Sequence, residues 1–295
     1  MSAPQQALLT SIRDPDVEGG RLLTTVLQKN CIPCVLWAVS AAVHYGGGLC
    51  PLDIEIAINA SDQQRVFEIL SSHGLSISSP DHQSAPPSSF EEWFKNAPSS
   101  SQFHDRRRTR LLTPIYELPA TGNPLDDMLR PFIIVYSAEE VGLPLISPPT
   151  SSTETKPTEA YITLSVLNPD LALCNNAFSS RETHKAQVMD SMIPSFTSLV
   201  KSEMHVLLMH AEVHSPVWGQ HMAQLSELVY SRACADGPDN LQEVVANASF
   251  KEFISWFRAS LKGETDYETL EGLRASYRDI YQLQDDQFSG SLRCQ

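Results

Sequence analysis

The stretch Leu52-Asp53-Ile54-Glu55-Ile56-Ala57-Ile58 decides the reading of the fold. Leu52, Ile54, Ile56 and Ile58 fall on one face of an extended chain, and Asp53, Glu55 and Ala57 on the other. Period two predicts a half-buried strand. Downstream, Ser61-Asp62-Gln63-Gln64 has the form of a capping box with Ser61 as N-cap. The helix it opens carries Val66, Phe67, Ile69 and Leu70, and Gly74 is placed to stop it. Upstream, Ser40 to Tyr45 reads as a short helix ended by Gly46-Gly47-Gly48. Before it, Ile32 to Trp37 is a short apolar strand, and Val17 to Lys29 is an amphipathic helix with Leu22, Leu23, Val26 and Leu27 on its apolar side. The order α-β-α-β-α makes this region an α/β or α+β core.

Farther along, residues 76–102 are rich in Ser and Pro and read as an irregular excursion with one short FEEWF piece. Strands are expected at Leu111 to Leu118, Phe132 to Tyr136 and Tyr161 to Leu167, with a long loop over 145–158. From about Met189 the pattern turns helical, over 195–214, 217–232, 249–262 and 265–283. The expectation is an α+β fold: a small mixed sheet flanked by helices over 1–170, then a helical region over 185–290.

Composition bounds the function. The chain has 295 residues with 35 acidic and 21 basic side chains, a net charge of −14; 42% of the residues are hydrophobic. That is globular composition. An acidic chain is a poor general nucleic-acid binder, because binding a phosphate backbone is driven by basic side chains. The longest apolar run, Cys31 to Tyr45, is interrupted by Pro33 and too short to span a bilayer, so no membrane partner is expected. The opening MSAPQQALLTSIRDPD lacks the basic and apolar parts of a secretory signal, and six cysteines are too few for a disulfide scaffold. A cytoplasmic setting is the expectation. One strip runs against the acidic trend: Arg106-Arg107-Arg108-Thr109-Arg110.

Asp53-Ile54-Glu55 has the most chemical content. On a strand, residues i and i+2 share a face, so both carboxylates project together and repel unless a proton or cation intervenes. Mg²⁺ is the natural cation, and with a triphosphate such a pair can hold two metals about 4 Å apart for in-line phosphoryl transfer. The same D-x-E also arises on any half-exposed strand by simple alternation.

The segment from Leu27 to Gly46, LQKNCIPCVLWAVSAAVHYG, followed by Leu52 to Ile58, resembles the core of the nucleotidyltransferase superfamily, and looks most like its uncharacterised fungal branch. Val135 to Pro144, Ile193-Pro194 and Val217-Trp218-Gly219 are similar to that branch less specifically. The resemblance implies an enzyme using Mg²⁺ and a nucleoside triphosphate on a small-molecule substrate. It assigns Asp53 and Glu55 to the metal-binding acids and Ser40 to the turn that meets the triphosphate. Glu117 is the candidate third acid, and Arg106 and Arg108 within the arginine strip are candidate phosphate contacts. This sequence departs from the pattern at Val39, which replaces the turn glycine, at Glu55, which replaces the commoner Asp, and in having no obvious third acid. Those departures leave two other readings open: a repurposed fold acting as a synthase or tailoring enzyme of fungal specialised metabolism, with an aminoacyl or other activated substrate, and a non-catalytic interaction module.

Other constellations carry simpler readings. Cys31-Ile32-Pro33-Cys34 has redox spacing but begins a strand, so both cysteines read as buried small hydrophobes. His210 and His214 stand four apart, as two metal ligands on one helix face would, although Pro216 ends that helix soon after. Packed or surface histidines are the default there. Phe250, Phe253, Trp256 and Phe257 read as core, and the arginine strip by itself as a solvated turn or strand edge.

Overall fold

The computed structural model describes residues 9, 12, 14–46, 49–79, 87–98, 102–147, 160–167, 189–230, 241, 244–264 and 266–292, the side chains of 125, 126 and 282–292 excepted. The N-terminal order is the expected one. Helix α1 (Val17–Lys29), strand β1 (Cys34–Leu36), helix α2 (Ala38–Ala42), strand β2 (Ile54–Ile58) and helix α3 (Gln63–Ser72) follow in turn. Asp16 caps α1 by accepting the Gly19 N–H. Gly74, at φ +84, ends the chain's turn out of α3.

The capping box does not form. Ala60–Asp62 make a 3₁₀ turn, and Asp62, at the N-cap position of α3, gives no side-chain cap bond. The Gln64 side chain is engaged elsewhere: its Oε1 accepts the Phe90 N–H at 3.0 Å and its Nε2 donates to Glu68 Oε1 at 2.8 Å.

The rest of the first part comprises β3 (Ser76–Ile77), α4 (Phe90–Lys95), β4 (Ile115–Glu117), α5 (Pro124–Leu129) and β5 (Ile133–Ser137). The FEEWF piece is therefore helix α4, N-capped by Ser89, which accepts the Glu92 N–H. The mixed five-stranded sheet has the order β1-β2-β5-β4-β3. Only β2 and β5 run parallel, with Glu55 beside Ile134 and Ala57 beside Tyr136. Beyond it come β6 (Tyr161–Thr163), α6 (Leu164–Leu167) and β7 (Met192–Pro194), the two strands forming a separate antiparallel pair. Helices α7 (Phe196–Met209), α8 (Pro216–Tyr230), α9 (Ala248–Ser260) and α10 (Tyr267–Leu292) complete the order. The expected strand over 161–167 turns helical at Leu164, and β7 lies where helix was expected to begin. The loop over 145–158 and the excursion over 76–102 fall partly outside the described residues.

Helices cover both faces of the sheet. On one face α1 comes in close: a Cβ on Gly20 would meet Leu36 at 3.1 Å, and one on Gly19 would meet Ile54 at 3.1 Å. On the other face Trp37 Nε1 donates to Ser202 on α7 at 2.8 Å, and the Trp37 ring lies 5.8 Å from that of His221 on α8. Consequently β2 is not half-buried. Every residue from Ile54 to Ile58 is buried, and the strand begins two residues later than its alternation suggests, leaving Leu52 exposed. One apolar cluster runs from Leu23 through the sheet to Phe253 and Leu270.

Candidate functional site

Asp53 and Glu55 do project together, as period two requires, but into a covered layer; each is 1% exposed. Charges so buried need partners. Arg110, itself buried, supplies most of the compensation. Its Nη2 donates to Asp53 Oδ2 at 3.0 Å, and its Nη1 lies 3.3 Å from Glu55 Oε1, so one guanidinium bridges the two carboxylates. Arg106 Nε lies 3.0 Å from Asp53 Oδ1, which also accepts the Phe132 N–H at 2.9 Å. Glu55 Oε1 accepts the Tyr136 hydroxyl at 3.2 Å, and Oε2 accepts the Val39 N–H at 3.3 Å. All four carboxylate oxygens are engaged, and two arginines face two acids.

Protonation follows the geometry. Burial lifts Glu55 above the usual carboxylate range; Arg110 pulls it down, and Asp53 pushes it up. Burial also pushes the Tyr136 phenol well above its usual value, with Glu55 adding to it, so the hydroxyl stays protonated and donates. For Arg110, burial works against the charge, but Glu55, Tyr136 and Asp53 more than offset it, and the guanidinium remains a cation.

The turn before the site is equally committed. Ser40 Oγ accepts the Glu55 N–H at 3.0 Å and donates to the Asp53 carbonyl at 3.3 Å. The Val39 N–H, at the position where the resemblance would place phosphate, faces Glu55 instead. Ala38 adopts φ +50, a left-handed conformation that favours glycine. The turn thus keeps a glycine-like backbone one residue before the expected place, on a side chain that is not glycine.

Of the remaining predicted site residues, Arg106 reaches Asp53, whereas Glu117 is apart from the pair. Glu117 lies on β4, two strands from β2, and its Oε1 binds Arg107 Nη1 at 3.0 Å and the Ser78 hydroxyl at 2.8 Å. Arg107 is buried and also pairs with Asp105 at 2.6 Å. Arg106 is half-buried, its Nη2 donating to the Arg130 carbonyl at 2.6 Å and its guanidinium lying 4.4 Å from the centre of the Phe132 ring. Arg108 is exposed. The arginine strip is therefore no solvated turn: Arg106–Thr109 form a 3₁₀ turn, and three of the four arginines point inward to acids.

Sequence reasoning missed Arg110, Tyr136 and a second buried pair behind them. His221 Nδ1 lies 2.7 Å from Glu203 Oε2, and Gln224, with its amide oriented to donate, adds two contacts to Glu203 at 2.8 and 3.1 Å. A buried acid pair with a clustered arginine strip was the available signal for Arg110; Glu203 had none.

Among the described residues, His205, His210 and His214 do not form a metal site. Helix α7 stops at Met209, so His210 and His214 share no helix face. His205 instead meets Tyr277 Oη at 3.0 Å and packs against His210. Cys34 is buried and its thiol is pushed up to about 12 by burial, whereas Cys31 is exposed, contrary to its reading as a buried hydrophobe. Among the described residues no group of three His, Cys, Asp or Glu side chains could hold a metal ion, and no helix is long and apolar enough to cross a membrane.

No protein-family model, curated protein or solved structure matches the chain.

The donor set can be tested for Mg²⁺ directly. Mg²⁺ needs near-octahedral oxygen ligands at about 2.1 Å and keeps several waters. Here the carboxylate oxygens face guanidinium, phenol and amide donors in a layer closed to water. As arranged, the pair does not fit a divalent cation.

Proposed function

We propose that this chain is a repurposed nucleotidyltransferase-like protein, in which the acid pair has become an internal ion cluster joining sheet to helices. The observation that carries this is the Arg110 guanidinium bridging buried Asp53 and Glu55. Nucleotidyl transfer by the two-metal route needs free carboxylate oxygens, and all four are engaged. Of the activities the resemblance leaves open, a synthase or tailoring step on a small molecule in fungal specialised metabolism needs no such pair. The element order with both acids on one strand face supports the scaffold; the arginines support the change of use.

The test is pyrophosphate release from ATP with Mg²⁺, together with ATP calorimetry, on wild type and Asp53→Asn, both shown folded by circular dichroism. The reading expects no Mg²⁺-dependent release and equal ATP affinity in the two proteins. Release by wild type that Asp53→Asn abolishes would overturn it.

A further inference from the structure

We infer that the groove between α9 and α10 is a docking site for a basic, amphipathic helix of a partner protein. The inference goes beyond the proposed function and does not depend on it, because the groove shares no residue with the acid pair.

The sequence of the two helices builds the groove. Helix α9 spends its core side on Phe250, Phe253, Ile254 and Phe257, all buried. On its other side Ala248, Glu252, Ser255 and Ala259 recur at steps of four, three and four, and the first three are exposed. Helix α10 repeats those steps at Thr269, Leu273, Ser276 and Ile280, with Ile280 50% exposed. Such steps keep one row of side chains in line along a helix, and two such rows side by side can receive the side chains of a third helix. Trp256 fixes the spacing: its Nε1 donates to the Asp266 carbonyl at 2.7 Å and ties the start of α10 to α9. The groove encloses about 610 Å³, and among the described residues α9, α10 and their connection supply all of its lining.

Size and charge name the occupant. Along α9 the lining residues Ala248, Ser255 and Ala259 are small, so a second helix backbone can come near. Trp256 and Leu273 add apolar surface. That suits the apolar face of an amphipathic helix laid in a groove, whereas an added strand needs a free sheet edge, which two helices do not offer. The charged lining is Glu252, Glu264 and Asp266 against Lys251, three acids to one base. The Thr269 hydroxyl and amide, and the Glu268 amide, donate to Asp266 and hold its carboxyl below the usual range, so it stays charged. Lysines or arginines flanking the partner's apolar face meet this lining with opposite charge. A second copy of this chain, at net −14, brings like charge instead.

The experiment titrates the full chain into fluorescein-labelled peptides, read by fluorescence anisotropy. One peptide is an amphipathic helix of leucine and lysine. A second has glutamate at every lysine, and a third keeps the lysines but has central prolines that prevent the helix. The proteins are wild type, Glu252→Lys/Glu264→Lys and Ser255→Trp, all changed at exposed positions and checked for folding by circular dichroism. Expected is binding of the lysine helix to wild type, about tenfold loss in each variant, and a preference for lysine over glutamate that the charge-reversed protein turns around. Undiminished binding in both variants means charge attraction elsewhere on the acidic surface and overturns the inference, as does no binding to wild type. Equal binding of the proline peptide overturns the helical occupant. Self-association of wild type in sedimentation that Ser255→Trp abolishes overturns the basic partner in favour of a second copy. If Ser255→Trp does not fold, the charge-reversed protein decides by the same criteria. None of these outcomes bears on pyrophosphate release, so the two readings fail separately.

Discussion

Replacing Arg110 with alanine removes the bridging cation while leaving both acids in place. The cost follows from burial. Asp53 and Glu55 are each 1% exposed, so the variant leaves carboxylates in a closed layer with Arg106 as the one arginine still paired to them. Removing one partner of a buried pair costs about 3–5 kcal/mol, mostly through the charge left behind. Two features reduce this. Arg106 still faces Asp53, and Glu55 can take up a proton. About 3 kcal/mol at pH 7.5 is the expectation, a large share of the roughly 5–15 kcal/mol that holds a domain. Urea denaturation measures it, with the loss read from the midpoint at constant slope. The pH dependence carries a sign. Glu55 is raised in the folded protein, so its charged form is disfavoured there. A carboxyl with a raised folded value binds protons more readily folded than unfolded, and its penalty falls as pH drops from above that raised value toward the ordinary one. Arg110 is what pulls Glu55 down; without it the value climbs further. The deficit of the variant therefore shrinks between pH 7.5 and pH 5. A loss under about 1 kcal/mol at pH 7.5, or a deficit that grows on acidification, would refute the buried ion cluster.

Other consequences are local. Gly142 has φ +68, and a Cβ there would lie 2.5 Å from His205 Cγ, so Gly142→Ala should cost about 3 kcal/mol in the same denaturation assay. Ala38→Gly should instead stabilise by about 0.5 kcal/mol, because relief at φ +50 outweighs the added freedom of the unfolded chain; a loss would show that the turn is not strained. Iodoacetamide followed by peptide mass spectrometry should label exposed Cys31 in the native protein and spare Cys34, which reacts only after denaturation.

The legible parts of the chain are those written in local periodicity. Alternation through Ile54 and Ile58, the apolar stripe of Val17–Lys29 and the stop at Gly74 each follow from neighbours a few residues away, and they yield the first five elements in order. The joint projection of Asp53 and Glu55 is legible for the same reason. What lies above them is not. Arg110 stands 57 residues from Asp53, and Tyr136 stands 81 from Glu55. Alternation gives the face of a strand but not whether α7 and α8 close over it, so a half-exposed metal-binding strand was the natural expectation. The capping box failed through the same blindness, since the Gln64 side chain it needs accepts the Phe90 N–H from 26 residues away. Strand β7 has three residues and pairs across a long gap with β6, too short to show a period. His210 and His214 have the right spacing, but the helix ends at Met209, before both.

The central claim is that arginine, not metal, neutralises Asp53 and Glu55. Crystals grown with Mn²⁺ and a non-hydrolysable ATP analogue, with diffraction collected at the manganese edge, test it most directly. The account predicts no anomalous peak between the two carboxylates and the Arg110 guanidinium bridging them. A manganese peak within about 2.2 Å of oxygens from both acids, with Arg110 displaced, would contradict it.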